Sequence, residues 1–420
     1  MFNITMPVPC SLLLAFIPAQ TSPWEGAPLE YGERVSHDPV AVLSARIGAG
    51  DVSLADDEQF GLLPALLEAL DVPIESQTTV FSRTSLQAEH ISPQSPRALY
   101  FSDDVYVGYV PGTGTYELTG MDAELGPVFY TLRESEGFER QTHTCLQCHA
   151  PSRNGGMPAH LVRSVHPDQA GMPVLRAGTS LVDHATPYER RWGGWYVTGA
   201  PENMRHLGNQ VLAEGEERLD PAASVHDDLT ELCMADSYPA ATSDLVALLV
   251  LEHQAYVHNV LARAGYDVRR ALYDQRALNK ALGNPPGARL GSTETRIDVA
   301  VRHVVKALLL VGEPPLPGPV GAGSAFADLF QARGRRGSQG RSLRDLDLEE
   351  RLFRYPLSYL IHSPSFSGLP EILRERIWLE LWLVLQGIRE DEDYDTLSRS
   401  DRETLLVLLA ETRDDLPSYW

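Results

Sequence analysis

Cys145-Leu146-Gln147-Cys148-His149 (CLQCH) is the stretch around which the rest of the chain has to be organised. Two cysteines separated by two residues, with a histidine directly after the second, form the attachment signature of c-type haem. In that chemistry each thiol adds to a vinyl group of the porphyrin, and the histidine supplies the basic nitrogen that iron takes as its proximal ligand. Two other chemistries use a CxxC spacing. A thiol redox pair does not need the adjacent histidine, and a zinc site needs a fourth ligand that is not visible at motif spacing. The motif therefore assigns Cys145 and Cys148 to one covalent haem c, and His149 to its iron.

Upstream of the motif the hydrophobic period is that of strands. Leu99 and Phe101, then Val105, Val107 and Tyr109, alternate around Asp103–Asp104, and Pro111-Gly112-Thr113-Gly114 reads as a turn. Tyr116 to Leu118 and Val128 to Leu132 are further short strands, so a small antiparallel sheet is expected just before the haem motif. Farther upstream, residues 20 to 60 are rich in Pro, Gly and Asp, and Leu62 to Leu70 reads as a short helix with Pro64 in its first turn.

Downstream, glycines and prolines punctuate the chain to about residue 235. Within this stretch Arg190 to Gly199 reads RRWGGWYVTG. Trp192 and Trp195 offer flat apolar rings for a porphyrin, and Arg190 and Arg191 offer guanidinium groups for its propionates. The other reading, an aromatic strand-turn packed in the core, carries equal weight. The last 180 residues have the 3.6-residue period of helices: Asp244 to Ala264 behind Ser243 and ended by Gly265, Arg296 to Leu310, a helix opened by Pro370, and Asp401 to Glu411 behind a Ser400/Glu403 capping box. The expected fold is mainly α with a small antiparallel β element (α+β), a haem-bearing loop region followed by a helical C-terminal half. Its expected divisions are a signal peptide at 1–19, an N-terminal extension at 20–95, a haem-bearing region with the small sheet at 96–235 and a helical domain at 236–420.

Composition narrows the function. A 420-residue chain that is 43% hydrophobic and 22% charged buries a large core, and its formal net charge of -22 argues against a nucleic-acid partner, because phosphate binding needs a basic surface. The same charge suits the steering of a basic redox partner protein. Residues 7–19, PVPCSLLLAFIPA, fit a secretory h-region and are too short to span a membrane, although no Lys or Arg precedes them. A buried N-terminal segment is the alternative. Haem attachment to CxxCH takes place outside the cytoplasm, so export, to the periplasm or beyond, is expected, with no transmembrane span in the mature chain. The four cysteines give no disulfide framework: with Cys10 removed in the leader, Cys233 is left single.

CLQCH, the upstream PRALYFSDDVYVGYV (96–110), RRWGGWYVTG and GRSLRDLDLEERLFRYPLSYLI (340–361) together resemble uncharacterised exported cytochrome c-domain proteins of environmental bacteria, planctomycetes among them. The resemblance runs from about residue 90 to the C-terminus and implies haem c and redox chemistry without a substrate. One position departs from it. Such sequences often carry a methionine where this chain reads Arg205-His206-Leu207-Gly208-Asn209, and Leu207 cannot bind iron. Among the groups downstream of the motif, His206 follows the aromatic stretch and is the expected distal metal ligand. Electron transfer by a mono-haem cytochrome is the leading expectation for function. Its alternative is a peroxidase-like haem oxidoreductase or a haem-based sensor with an open distal site; whether the protein is an enzyme stays open.

Overall fold

The computed structural model describes residues 22–420; the expected signal peptide at 1–19 lies outside them. The centre of the molecule is a seven-stranded, fully antiparallel sheet in the order β6-β5-β4-β3-β2-β1-β9. Its strands are β1 (Thr78–Val80), β2 (Arg97–Phe101), β3 (Val105–Tyr109), β4 (Thr115–Asp122), β5 (Gly126–Arg133), β6 (Gly137–Arg140) and, after the haem motif, β9 (Trp195–Tyr196). The small hairpins β7–β8 (Arg163–Val165, Thr179–Leu181) and β10–β11 (Arg205–His206, Ala222–Ala223) lie outside it.

The expectation of a mainly α protein with a small β element is therefore corrected. The chain is 36% helical and 13% strand, and its sheet draws strands from both sides of the motif, where a haem-bearing loop followed by a helical half was expected. The reason lies in short strands that bury both faces. β1 and β9 are three and two residues long and carry no period of their own, and they enter the sheet through pairing with each other and with β2. In β3 all five residues are buried: Val105, Val107 and Tyr109 face one core, while Tyr106 faces the other.

Those two cores make three layers. On one face lie the N-terminal residues with α1 (Pro39–Gly48) and α2 (Leu63–Ala69). Asp38 starts α1, accepting from Val40 N at 2.8 Å and Ala41 N at 3.1 Å, and it also takes the Tyr130 hydroxyl of β5 at 2.5 Å. The opposite face carries α4 (Leu245–Leu282), to which α5 (Gly291–Leu308), α6 (Ala325–Ala332), α7 (Pro364–Ser367), α8 (Glu371–Leu385) and α9 (Arg399–Thr412) add. The remaining helix, α3 (Leu146–His149), lies within the CLQCH motif.

α4 begins behind Asp244, which caps Ala247 N at 2.9 Å. Ser243 has another task, taking Thr79 N at 2.9 Å and donating to Tyr196 O at 2.6 Å, and so it ties β1 to β9. The helix runs 38 residues and passes through Gly265 to a left-handed Gly283 (φ 72°). An interior glycine costs about 1 kcal/mol against alanine, and burial of Tyr266, Val268 and Ala271 beyond it keeps the helix going. The last capping box is Ser398 with Asp401, two residues earlier than expected. Among the described residues α4 is the one helix long and apolar enough to cross a membrane, and 83% of its apolar window is buried inside the protein.

One ion pair is sealed in this packing. Arg191 and Glu252, 2% and 0% exposed, meet at 2.8 Å, and Trp192 Nε1 donates to the other carboxylate oxygen at 2.6 Å. Removing one partner of a buried pair strands the other, at a cost of roughly 3–5 kcal/mol. Glu252→Ala should lose stability of that order in urea unfolding and Glu252→Gln clearly less; an unchanged midpoint in Glu252→Ala would contradict the pairing.

Candidate haem-attachment site

The motif is seated on the sheet. Leu146 is buried in the cluster that includes Phe129, with Cys145 and Ala150 leaning on the same cluster. The His149 ring lies 4.6 Å from Phe129 of β5, centroid to centroid. Beneath the motif, Arg97 of β2 and Glu117 of β4 pair at 2.9 Å across β3, over Gly108, where a Cβ would collide with the Arg97 guanidinium. A sheet position with no side chain is thus what lets the ion pair lie flat under the motif.

His149 Nδ1 is 2.9 Å from the carbonyl oxygen of Ala159. A carbonyl only accepts, so Nδ1 carries the hydrogen, and in the neutral ring Nε2 holds the lone pair. That is the tautomer a metal ligand needs, fixed by a backbone acceptor behind the ring. Burial, chiefly, holds the His149 pKa below its usual range, which keeps the ring neutral and Nε2 available. Cys145, Cys148 and Cys233 are all free thiols. Burial and then Glu117 raise the Cys145 thiol to about 11. A reactive redox thiol has a lowered value, so this environment does not suit a thiol oxidoreductase. Among the described residues no group of three or more His, Cys, Asp or Glu side chains converges to hold a metal ion. Haem iron takes four donors from its ring and needs only one or two from the protein, so it does not require such a cluster.

Beside the motif opens a cavity of about 700 Å³. The chain just after the motif (Pro151, Asn154, Ala159 to Val162) and Leu181 to Asp183 form one wall, α4 and α5 the others. A second cavity of about 310 Å³ has Cys148 in its wall and shares Pro151, Leu161 and Leu181 with the first. The larger volume is within the roughly 300–1,000 Å³ of small-molecule and cofactor sites. Free thiols, an exposed Cys148, an oriented imidazole and adjoining space are the requirements of covalent haem, and the residues fit the group.

The other residues singled out in the sequence are placed elsewhere. Trp192 is fully buried on Glu252, and Arg191 spends its donors on Glu252, Thr186 O and His184 O. Trp195 Nε1 donates to Arg163 O at 2.7 Å, behind the wall of the smaller cavity, and Arg190 reaches Ser180 Oγ at 3.2 Å. His206 is buried, its ring 5.1 Å from Trp192 and its Nδ1 accepting from Gly208 N at 3.0 Å. None of these five lines either cavity; of the motif only Cys148 does, in the smaller one, while Cys145 and His149 stay beside it on one helical turn.

The cavity contains groups that sequence reasoning passed over: Tyr256, Asn259, Arg263 and Asp267 on α4, and Arg296 and His303 on α5. A signal for the first four was present. They fall three and four residues apart, one polar stripe on a long apolar helix. The adjacent face of α4 carries buried polar groups instead. Gln254 donates to Tyr106 Oη at 2.9 Å, which lies 2.9 Å from His258 Nδ1. His253 sits 3.2 Å from His184 Nδ1 through its own Nδ1, and 2.8 Å from Ser358 Oγ through Nε2. His160, its ring tilted against Tyr106 at 4.2 Å between centroids, completes the cavity's inner edge. Against protein-family models, curated proteins and solved structures the chain has no match.

The buried histidines give a pH dependence with a definite sign. Burial pushes His184 and His206 down to about 4 and His258 to about 3, whereas an unfolded histidine titrates near 6.5. Below about 6.5 the unfolded chain takes up protons that the fold refuses, so this stability is present above that pH and lost as pH falls toward 4. The urea midpoint should drop between about pH 7 and pH 5, and less steeply in a His206→Asn, His258→Asn double variant. A flat wild-type profile over that window would contradict neutral burial.

Proposed function

We propose that the protein is an exported mono-haem c-type cytochrome that relays electrons, with haem attached through Cys145 and Cys148 and His149 as proximal ligand. The observation that carries the reading is the His149 Nδ1–Ala159 contact, which leaves Nε2 as a ligand in a CxxCH helix whose second cysteine lines a cavity of about 310 Å³. Once bound, haem supplies reversible one-electron chemistry at its iron. The chain's own residues do the rest. Cys145 and Cys148 fix the porphyrin edge, Ala159 O holds the imidazole in register, and Leu161 and Leu181 give that cavity apolar surface. The formal charge of -22 supports docking by a basic redox partner, which long-range attraction would steer. Export remains part of the reading, on the motif and the apolar leader-like run.

The size of the larger cavity favours a second reading, in which an open distal side admits a small molecule and the protein is a haem oxidoreductase or sensor. Expression with a haem c maturation system followed by a pyridine haemochrome assay tests the attachment. One haem c per chain is expected in the wild type, with loss or a one-thioether spectrum in Cys145→Ser and Cys148→Ser. Absence of haem c would overturn both readings. A ferric low-spin spectrum indifferent to CO and peroxide supports electron transfer; a high-spin spectrum that responds to them supports the open site. An unchanged low-spin spectrum in His206→Ala would remove that residue as distal ligand.

A further inference from the structure

We infer that the cavity between α4, α5 and the 151–183 segment binds a small molecule with an apolar body and one carboxylate, held by Arg263 and Arg296. The inference goes beyond the haem reading and does not depend on it, because none of Cys145, Cys148 and His149 lines this cavity. The space is graded from apolar to charged. Its buried wall comes from Val162, Val182, Ala255, Ala264 and Ala300, short side chains that leave about 700 Å³ open. Arg263 and Arg296 line the same space with 37% and 38% of their side chains exposed, so the guanidinium groups stand where the cavity meets water. Such a gradient favours an apolar body at depth and a negative charge at the mouth.

Both arginines are held from behind with donors left over. Arg263 Nε donates to Asp267 Oδ2 at 2.7 Å, one turn along α4, and neither Nη makes a further hydrogen bond among the described residues. Arg296 Nη1 donates to Asp274 Oδ2 at 2.9 Å, leaving Nε and Nη2 free in the same sense. A guanidinium anchored on one edge presents its other donors in a fixed fork, the geometry that suits a carboxylate. The acids in the cavity wall are already engaged: Asp267 holds Arg263, and Asp183 accepts from Ala185 N at 3.1 Å and Thr186 Oγ1 at 2.8 Å. The donors still on offer therefore point to an anion. Gly155 has φ 65°, and a Cβ there would collide with the Arg263 guanidinium, so the glycine gives that arginine its place.

Calorimetric titration of the purified full chain with decanoate and with naphthoate tests the site. One saturable site per chain is expected for at least one of the two acids. Arg263→Gln and Arg296→Gln should each weaken acid binding by about tenfold, the loss of one charge-assisted hydrogen bond, and leave the weaker binding of neutral decanol unchanged. Val299→Trp, which adds bulk to the lining at a position already 37% exposed, should weaken acid and alcohol alike. Arg399→Gln, on the exposed start of α9, should change neither. Both arginines are more than a third exposed, so neither substitution opens a buried void. No saturable binding of either acid would overturn the inference, and so would decanol binding as tightly as decanoate with both arginine variants unmoved. Neither result touches the haem reading, which the haemochrome assay decides by itself.

Discussion

The burial of α4 is the constraint on which the other elements depend. At 1.5 Å per residue a 38-residue helix is about 57 Å long, and its first half is apolar nearly all round. A helix of that kind is stable in water only when neighbours cover every side. The sheet covers one side and α5 and α6 others, while the segment between the motif and β9 supplies the rest. Polar groups carried into that environment have to be satisfied, which explains why Glu252, Gln254 and His253 each meet a partner from a distant part of the chain. Such contacts specify which segment lies where more sharply than apolar packing does, because a slip of one residue leaves a polar atom unpaired.

The same helix has sealed directions and one open stripe. Glu252, His253 and His258 point in three different directions, and all are fully buried. One turn past Glu252 the stripe of Tyr256, Asn259, Arg263 and Asp267 faces the cavity. Asn259 joins the two, since its side chain exchanges hydrogen bonds with the backbone of His160 at 2.7 and 2.9 Å and so pins the chain after the motif to α4. The position of Ala159, and with it the orientation of His149, therefore depends on a helix that begins almost a hundred residues later.

That dependence marks what could be read from the sequence. CLQCH could be read as a haem-attachment motif because that signature is local: five residues carry the residue types and their spacing. The strands from Leu99 to Leu132 and the main helices were legible because their periods are local too. β1, with Thr78–Val80, and β9, with Trp195–Tyr196, were not, since strands of three and two residues exist only through pairing, β1 with β2 and with β9 more than a hundred residues on. The Trp192–Trp195 stretch shows the same limit on the side of function. Its composition suits a porphyrin wall or a core equally well, and only the position of Glu252, sixty residues on, decides where Trp192 and Arg191 spend their donors.

The two kinds of arginine in this protein follow from that geometry. Burying Arg191 removes its hydration, so every donor must be matched inside the fold, and a group so matched has nothing left to offer a ligand. Arg263 and Arg296 keep part of their surface in water and are tethered at one edge only. Holding a guanidinium by one edge restricts its rotamers in advance, which lowers the entropy lost when a carboxylate arrives. In this fold the boundary that such arginines occupy, between core and water, lies where α4 and α5 face the chain that follows His149.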